Sequence, residues 1–242
     1  MTGVRFLERV GSTQDVVHDL AAAGVEGGVA VVAREQTDGR GSRRRRWHSP
    51  PGGLWLSFLW RPRTAAAVET LSLRVGLAVA GALETVPEMP AVSIKWPNDL
   101  VVADRKAGGI LCEARWQGGA PGWVAVGVGI NVTNALPAGL RHVAIALATC
   151  CPDLTPERLI EPVVGALRRL DDSAPFLSDA DCAAFCGRDW LAGRTLTGPV
   201  CGIGAGVAPH GALRVRQPDG QIALVRSGPV ELPPFTESRA CS

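Results

Sequence analysis

Two short segments carry the residue types that could handle a charged, activated substrate. The first is Gln36-Thr37-Asp38-Gly39-Arg40-Gly41-Ser42, continued by Arg43, Arg44, Arg45, Arg46 and Trp47. Gly39 and Gly41 let the backbone turn sharply and come close to a ligand. Arg40 and its neighbours offer planar, permanently charged donors that match carboxylate and phosphate oxygens. This composition suits a loop that clamps an anionic nucleotide; a solvated basic loop or a nucleic-acid contact would share it. The second segment runs Lys95-Trp96-Pro97-Asn98-Asp99-Leu100 and resumes at Asp104-Arg105-Lys106-Ala107-Gly108-Gly109. Asp99 leaves one strand and Lys106 enters the next, so a turn between them can bring both side chains to one pocket. A lysine there can neutralise a carboxylate and an α-phosphate together. The aspartate could hold a metal or orient an attacking amine.

These residues need elements to position them. Ser12 reads as a helix N-cap with Asp15 completing a capping-box pattern, and Gly24 ends that helix. Val29–Ala33 reads as a buried strand leading into the glycine-arginine loop, and Leu54–Trp60 as the strand leaving it. Thr64 should cap a long helix reaching Val86, stopped by Pro87 and Pro90. Four strands follow, Val92–Trp96, Leu100–Ala103, Gly108–Trp116 and Trp123–Val132, with turns at Asp104-Arg105-Lys106 and Gly118–Gly122. Thr155 and Pro156 open a helix to about Leu170, and another is expected from Ser178 to Leu191. From Gly193 to Leu232, frequent glycines and short apolar alternations predict a small antiparallel barrel, and Phe235–Ser242 should fray. The expected class is α+β: a mixed, largely antiparallel sheet with flanking helices over 1–188, then the small barrel over 189–242.

Composition narrows the function. Apolar residues make up 46 % of 242, enough for a sizeable core, and the net charge is only +2. That balance argues against a protein that coats nucleic acid or an anionic membrane. The apolar run Val75–Val86 is too short to span a bilayer, and Met1–Val10 lacks a signal-peptide core. Seven cysteines without metal or redox spacing point to reduced thiols and a cytoplasmic location. No metal site is assigned to protein ligands; the four histidines are scattered.

Taken in order, the motifs resemble the biotin–protein ligase family, which carries a GRGRRGRxW-type loop and a KWPNDL segment followed by a lysine before Gly-Gly-Ile. The resemblance extends to Ser12-Thr13, to Trp47, Ser49 and Pro50, to Gly127, Gly129, Ile130, Asn131 and Val132, and to the tail. It implies the biotin/lipoate ligase catalytic fold, related to class II aminoacyl-tRNA synthetases, with an SH3-like C-terminal barrel. It implies a two-step reaction: ATP, with Mg²⁺, adenylates biotin to biotinyl-5′-AMP, and a lysine of a biotin carboxyl carrier domain then takes the biotinyl group. Acetyl-CoA, other acyl-CoA or pyruvate carboxylases would supply that carrier, without DNA or membrane partners. By resemblance, Ser12, Thr13, Gln36, Gly39, Arg40, Gly41 and Lys106 line the biotin and adenylate site. Gly109 gives a backbone contact to biotin, Asn131 a polar contact to the nucleotide, and Trp47 stacks on adenine. Arg40 and Lys106 would hold the acyl-phosphate oxygens, and Asp99 would serve the incoming lysine. The family includes both monomers and homodimers.

This chain departs from the pattern at Ser42, Asp38 and Arg44, where the family generally has an arginine, a small residue and a glycine. Losing the loop arginine should weaken the hold on the adenylate, and Arg43 or Arg44 is the expected substitute. Gln14 replaces a common asparagine. The eleven residues before Ser12 leave no room for a helix-turn-helix, so the resemblance is to the monofunctional ligases. A lipoate or octanoate ligase of the same superfamily is the alternative. A nucleic-acid-binding module or an inactive carrier-binding protein fits the combined motifs less well.

Overall fold

Residues 3–233 are described in the computed structural model, so the expected fraying of Phe235–Ser242 lies outside the described part. The chain opens with a strand absent from the sequence reading, β1 (Val4–Val10), which is mostly exposed and lies at the sheet's edge. Its charges (Arg5, Glu8, Arg9) hide any apolar alternation; parallel pairing with β2 (Ala30–Gln36) holds it. Between them runs α1 (Thr13–Ala22), N-capped by the Ser12 hydroxyl, which accepts the Gln14 N–H. Asp15 does not complete the capping box.

β3 (Gly53–Trp60) follows the loop, and α2 (Leu71–Leu83) follows β3. Thr64 does cap a helix, but a short 3₁₀ turn over Ala65–Val68 that breaks before α2. The Arg74 guanidinium, buried below α2, donates to the freed Ala67 carbonyl and to Asp171 O at 2.6 Å. Next come β4 (Ser93–Lys95), β5 (Asp99–Val102), β6 (Arg105–Gln117) and β7 (Ala120–Asn131). The β5–β6 turn falls at Ala103-Asp104, one residue early; both have positive φ (48° and 57°), as a two-residue hairpin turn of type I′ requires.

The seven strands are ordered β1-β2-β3-β7-β6-β5-β4, antiparallel apart from the β1–β2 pair. Alternation sorts their side chains to two faces. Ala30, Val32, Phe58, Trp60, Val124 and Val126 face a large core shared with α2 and with α3 (Pro156–Arg168). Val31, Leu59 and Ala125 face the other way and pack on Val17 and Ala21 of α1. α1 is too short to cover that second face, and what it leaves open becomes the cleft described below.

α4 (Asp179–Cys186) starts in a Ser178–Asp181 capping box and stops well before the expected Leu191. The chain must straighten there so that Arg188 O and Trp190 N can bond Ile94 of β4. The last strands, β8 (Thr195–Leu196), β9 (Gly202–Val207), β10 (Leu213–Arg216) and β11 (Ile222–Val225), form an open sheet ordered β11-β10-β9-β8. A closed barrel is not formed among the described residues. β8 has only two residues, and the returning chain bridges Gly198 to Glu231 rather than pairing β11 with β8. This sheet shares the large core through Leu196, Val207, Leu213 and Val215. It is also tied to the first sheet by Trp96 Nε1–H donating to Gly211 O at 2.9 Å.

Candidate functional site

The open part of the α1 face is a cleft of about 1540 Å³. That exceeds the usual ligand pocket of roughly 300–1,000 Å³, leaving room for an acid and a nucleotide end to end. Its floor is built by register: Gly109 of β6 lies opposite Gly129 of β7, Leu111 opposite Gly127, and Ser57 of β3 opposite Gly127 on the other side. Gly127 and Gly129, two apart on β7, and Gly109, beside Gly129 on β6, make a flat strip without side chains. A Cβ on Gly129 would stand 2.8 Å from the Trp47 indole nitrogen, and one on Gly127 3.0 Å from Gln14 Nε2.

One end of the cleft is buried and rich in hydrogen-bonding groups. Gln36 Oε1 accepts from the Thr13 N–H (2.9 Å) and faces the Thr13 hydroxyl (3.0 Å), which lies 2.7 Å from the Ser57 hydroxyl. Gln36 Nε2 donates to Ser49 Oγ, and Gln14 Nε2 to Leu111 O. Gln14 Oε1 is buried without a hydrogen-bond partner among the described residues. Leaving such an acceptor unmet costs roughly 1–3 kcal/mol, so a donor brought by a ligand would be favoured there.

The middle holds the charged groups. Lys106 Nζ donates to Asp99 Oδ1 at 2.5 Å and sits 5.1 Å from the centre of the Trp47 ring. A bulge in β6, where Leu100 pairs Gly108 but Val101 pairs Lys106, re-aims the lysine. Its backbone is pinned by Val143 and Ile145, which add a short parallel bridge outside β6. Arg40 is held by both Asp15 oxygens (2.9 and 2.7 Å) and by Glu113 (3.3 Å). Asp15 first, then Glu113, hold its guanidinium more firmly charged than usual, against an opposing effect of burial. The missing capping box is thus explained: the Asp15 carboxylate is committed to Arg40.

Glu113 continues into a buried relay. Its carboxylate faces His18 Nε2 at 3.4 Å, and His18 Nδ1 accepts the Trp123 indole N–H at 2.9 Å. An Nδ1 that accepts leaves the Nε2 proton for Glu113. His18, opposed by burial and helped by Arg40, holds the Glu113 carboxyl below the usual carboxylate range. A depressed carboxyl contributes stability above its unfolded pKa, and that stability is lost as pH falls through the folded one. The melting temperature should therefore drop as pH is lowered from about 5 to 3, and Glu113→Gln should flatten part of that slope. Coincident slopes by calorimetry would show that Glu113 carries no such linkage.

Ser12, Thr13, Gln36, Arg40, Gly41, Trp47, Asp99, Lys106, Gly109 and Asn131 all line this one cleft. Gly39 does not: a Cβ there would stand 2.6 Å from Trp47 O, so its role is to let the arms of the loop approach. The substitute for the missing arginine also differs from expectation. Arg43 and Arg44 occupy the tip with positive φ and stay outside the lining, whereas Arg45 and Arg46 line the cleft. Arg45 folds back on Ser42, donating to its hydroxyl at 3.3 Å. Sequence reading missed Gln14, Ser57, Gly127, Gly129, Glu113 and His18 as neighbours of the site. Only the Gly127–Gly129 alternation carried a usable signal.

The family profile of biotin/lipoate A/B protein ligases matches residues 6–131, just over half of the 242 residues and the stretch that carries Ser12, Gln36, Arg40, Lys106 and the glycine floor of this cleft. The chain belongs to the biotin/lipoate A/B protein ligase family. It is 33 % identical over 230 residues to the biotin–[acetyl-CoA-carboxylase] ligase of Paracoccus denitrificans, an alignment covering 89 % of this chain and 95 % of that one. It is 35 % identical to the bifunctional ligase/repressor BirA of Bacillus spizizenii over 59 % of this chain, but spans only 45 % of that protein's length. In structure it is similar to the biotin protein ligase from Aquifex aeolicus in complex with biotin and ATP. That likeness has a TM-score of 0.80 and 28 % identity, over 96 % of this chain and 98 % of the other. The family's mixed sheet with flanking helices is therefore the frame holding Lys106, Arg40 and the glycine floor. Among the described residues, no helix is long and apolar enough to cross a membrane.

Proposed function

We propose that the chain is a biotin–protein ligase that adenylates biotin with ATP and passes the biotinyl group to a lysine of a carboxylase carrier domain. The observation that carries this reading is the buried polar end of the cleft. Thr13, Ser57, Gln36 and the unmet Gln14 Oε1 form a cluster of donors and acceptors that suits a ureido ring, with N–H groups and a carbonyl. An octanoyl chain or a dithiolane ring brings no donor to Gln14 Oε1 and would leave it unpaired, at roughly 1–3 kcal/mol. The similarity to the Paracoccus ligase and the Aquifex structure supports the same choice.

In the first step a biotin carboxylate oxygen attacks the α-phosphorus of ATP, the bond to the β-phosphate oxygen breaks, and pyrophosphate leaves with the electron pair. Lys106 stands where carboxylate and α-phosphate charge meet. Arg40 would exchange its exposed partner, Asp15, for the phosphate while Glu113 keeps it aimed. Trp47 has a buried indole N–H without a partner among the described residues, so its place between Lys106 and Gly129 can be given up to the ligand and the ring turned onto adenine. In the second step the carrier lysine's amine attacks the acyl carbon, AMP leaves, and Asp99 is placed to receive the amine's proton. Among the described residues, no cluster of three or more His, Cys, Asp or Glu is arranged to hold a metal. Asp99, the carboxylate nearest the reacting groups, is engaged by Lys106, so Mg²⁺ is assigned to the phosphates of the ATP substrate.

The test is pyrophosphate release from ATP on adding biotin, octanoate or lipoate, followed by transfer to a carrier domain. Biotin should be preferred over octanoate by at least about 100-fold in kcat/KM. Equal use of octanoate would favour the alternative lipoate/octanoate ligase reading.

A further inference from the structure

Arg40 has two anionic partners, and they are not alike. Asp15 grips both ends of the guanidinium, at 2.9 and 2.7 Å, but its side chain is 55 % exposed. Glu113 is half as exposed, at 27 %, and meets Arg40 through Oε2 alone, at 3.3 Å. The same Oε2 faces His18 Nε2 at 3.4 Å, so one atom stands between the imidazole and the guanidinium. Behind His18 the support is packed. Its Nδ1 accepts from Trp123, a buried indole with the Arg61 guanidinium carbon 5.9 Å from its ring centre. Arg61 in turn donates to Ala21 O and Val25 O at the end of α1 and to Gly122 O of β7, which ties helix to strand. His18 and Trp123 lie outside the lining of the cleft, and neither step above uses them. If His18 only filled space, an apolar side chain would do so without needing partners for two ring nitrogens. Holding a proton donor against Glu113 is what an apolar side chain could not do.

We propose that His18 is a positioning residue for adenylation: its Nε2–H, fixed by Trp123, anchors Glu113 so that Arg40 stays aimed into the cleft once Asp15 releases it. This inference rests on the proposed adenylation and deepens it. Arg40 stands between Gly39 and Gly41, so its own backbone is a poor means of aiming it. An arriving phosphate or carboxylate competes with the exposed carboxylate, Asp15. After that exchange Glu113 is the protein partner that remains. The His18 N–H then acts twice. It fixes where the Glu113 carboxylate sits, and it takes up part of the charge on Oε2, which leaves more of the guanidinium's charge for the ligand. Trp123 sets the direction of the relay. An indole N–H can only donate, so Nδ1 must accept and Nε2 must carry the proton. No proton is transferred along the chain; the groups act by holding one another in place.

The experiment places His18→Leu and His18→Gln in the full chain and in its Arg40→Ala variant, and reads biotin-dependent pyrophosphate release. His18→Leu should lower kcat roughly 10- to 100-fold while the KM for biotin stays within about threefold. His18→Gln keeps an N–H for Glu113 and should recover most of that loss. In the Arg40→Ala chain, His18→Leu should cost less than about twofold more, because the group it positions is gone. Equal losses in both backgrounds would make His18 a structural residue and overturn the proposal, as would wild-type kcat in His18→Leu. Should His18→Leu not fold, Trp123→Phe removes the indole N–H and carries the same test, with a milder loss that again depends on Arg40. A second readout needs no activity. Nitrogen NMR of the ligand-free chain should find His18 as the Nε2–H tautomer. In Asp15→Asn, where Glu113 alone holds Arg40, adding His18→Leu should speed rotation of the Arg40 guanidinium on the order of fivefold. An Nδ1–H tautomer or unchanged rotation would overturn the proposal. Failure of the chain to adenylate biotin would sink the proposed function, while these spectra would still report whether His18 holds Arg40.

Discussion

Lys106→Ala should lower the rate of biotin-dependent pyrophosphate release on the order of 100- to 1000-fold while leaving the fold intact. The lysine is held from both sides, by Asp99 at 2.5 Å and by the Trp47 face at 5.1 Å, and its backbone is clamped between Val143 and Ile145. It is therefore already placed before substrates arrive, so the stabilisation it gives to developing charge is not spent on ordering a flexible side chain. The Lys106–Asp99 pair is partly exposed, with side-chain exposures of 31 % and 24 %, so its loss should move stability far less than activity. Transfer from chemically supplied biotinyl-AMP separates the two steps. Lys106→Ala should keep most of it, because the anhydride is already made, whereas Asp99→Asn should slow it. Adenylation within about twofold of wild type in Lys106→Ala would remove the lysine from the mechanism.

How far this site could be read from sequence depended on whether its parts were local. The Ser12 cap, the hairpin carrying Asp99 and Lys106, and the glycine turn of the arginine loop are written within a few residues each, and the structure forms all three. Elements that rely on distant partners were invisible. β1 is a strand because β2 pairs with it, and its charged residues show no apolar alternation of their own. Asp15 looked like half of a capping box because local rules favour one; Arg40, 25 residues on, outbids that short contact with a bidentate ion pair. His18 and Glu113 are 95 residues apart, and nothing near either predicts the other. The basic run misled for a steric reason: two left-handed residues at Arg43 and Arg44 put the tip outside and hand the cleft to Arg45 and Arg46. The tail's alternation predicted strands correctly, but closure into a barrel depends on strand lengths that β8 does not reach.

Gly129→Val should cut biotin affinity and adenylation by at least about 100-fold with little change in melting temperature. In the sequence, Gly127 and Gly129 entered only as part of the motif shared with the ligase family, without a role of their own. In the structure they sit mid-strand in β7, between β3 and β6, where a glycine weakens the strand and a valine would strengthen it. Stability alone would thus select against glycine, so the reason for it lies on the cleft side. A Cβ at 129 would come within 2.8 Å of Trp47 Nε1 and 3.0 Å of Trp47 Cε2. The indole N–H has no partner among the described residues, so one methyl could be met by a shift of the ring. Gly129→Ala should accordingly show only a partial loss. The two methyls of valine would instead stand above the strip formed with Gly109, in the space the acyl chain must cross to reach Lys106. The graded loss from glycine to alanine to valine, measured by biotin titration beside thermal melts, separates a blocked floor from a damaged fold. If Gly129→Val bound biotin normally, the floor of the cleft would have to lie elsewhere, and the path from the Thr13–Gln36 end to Lys106 with it.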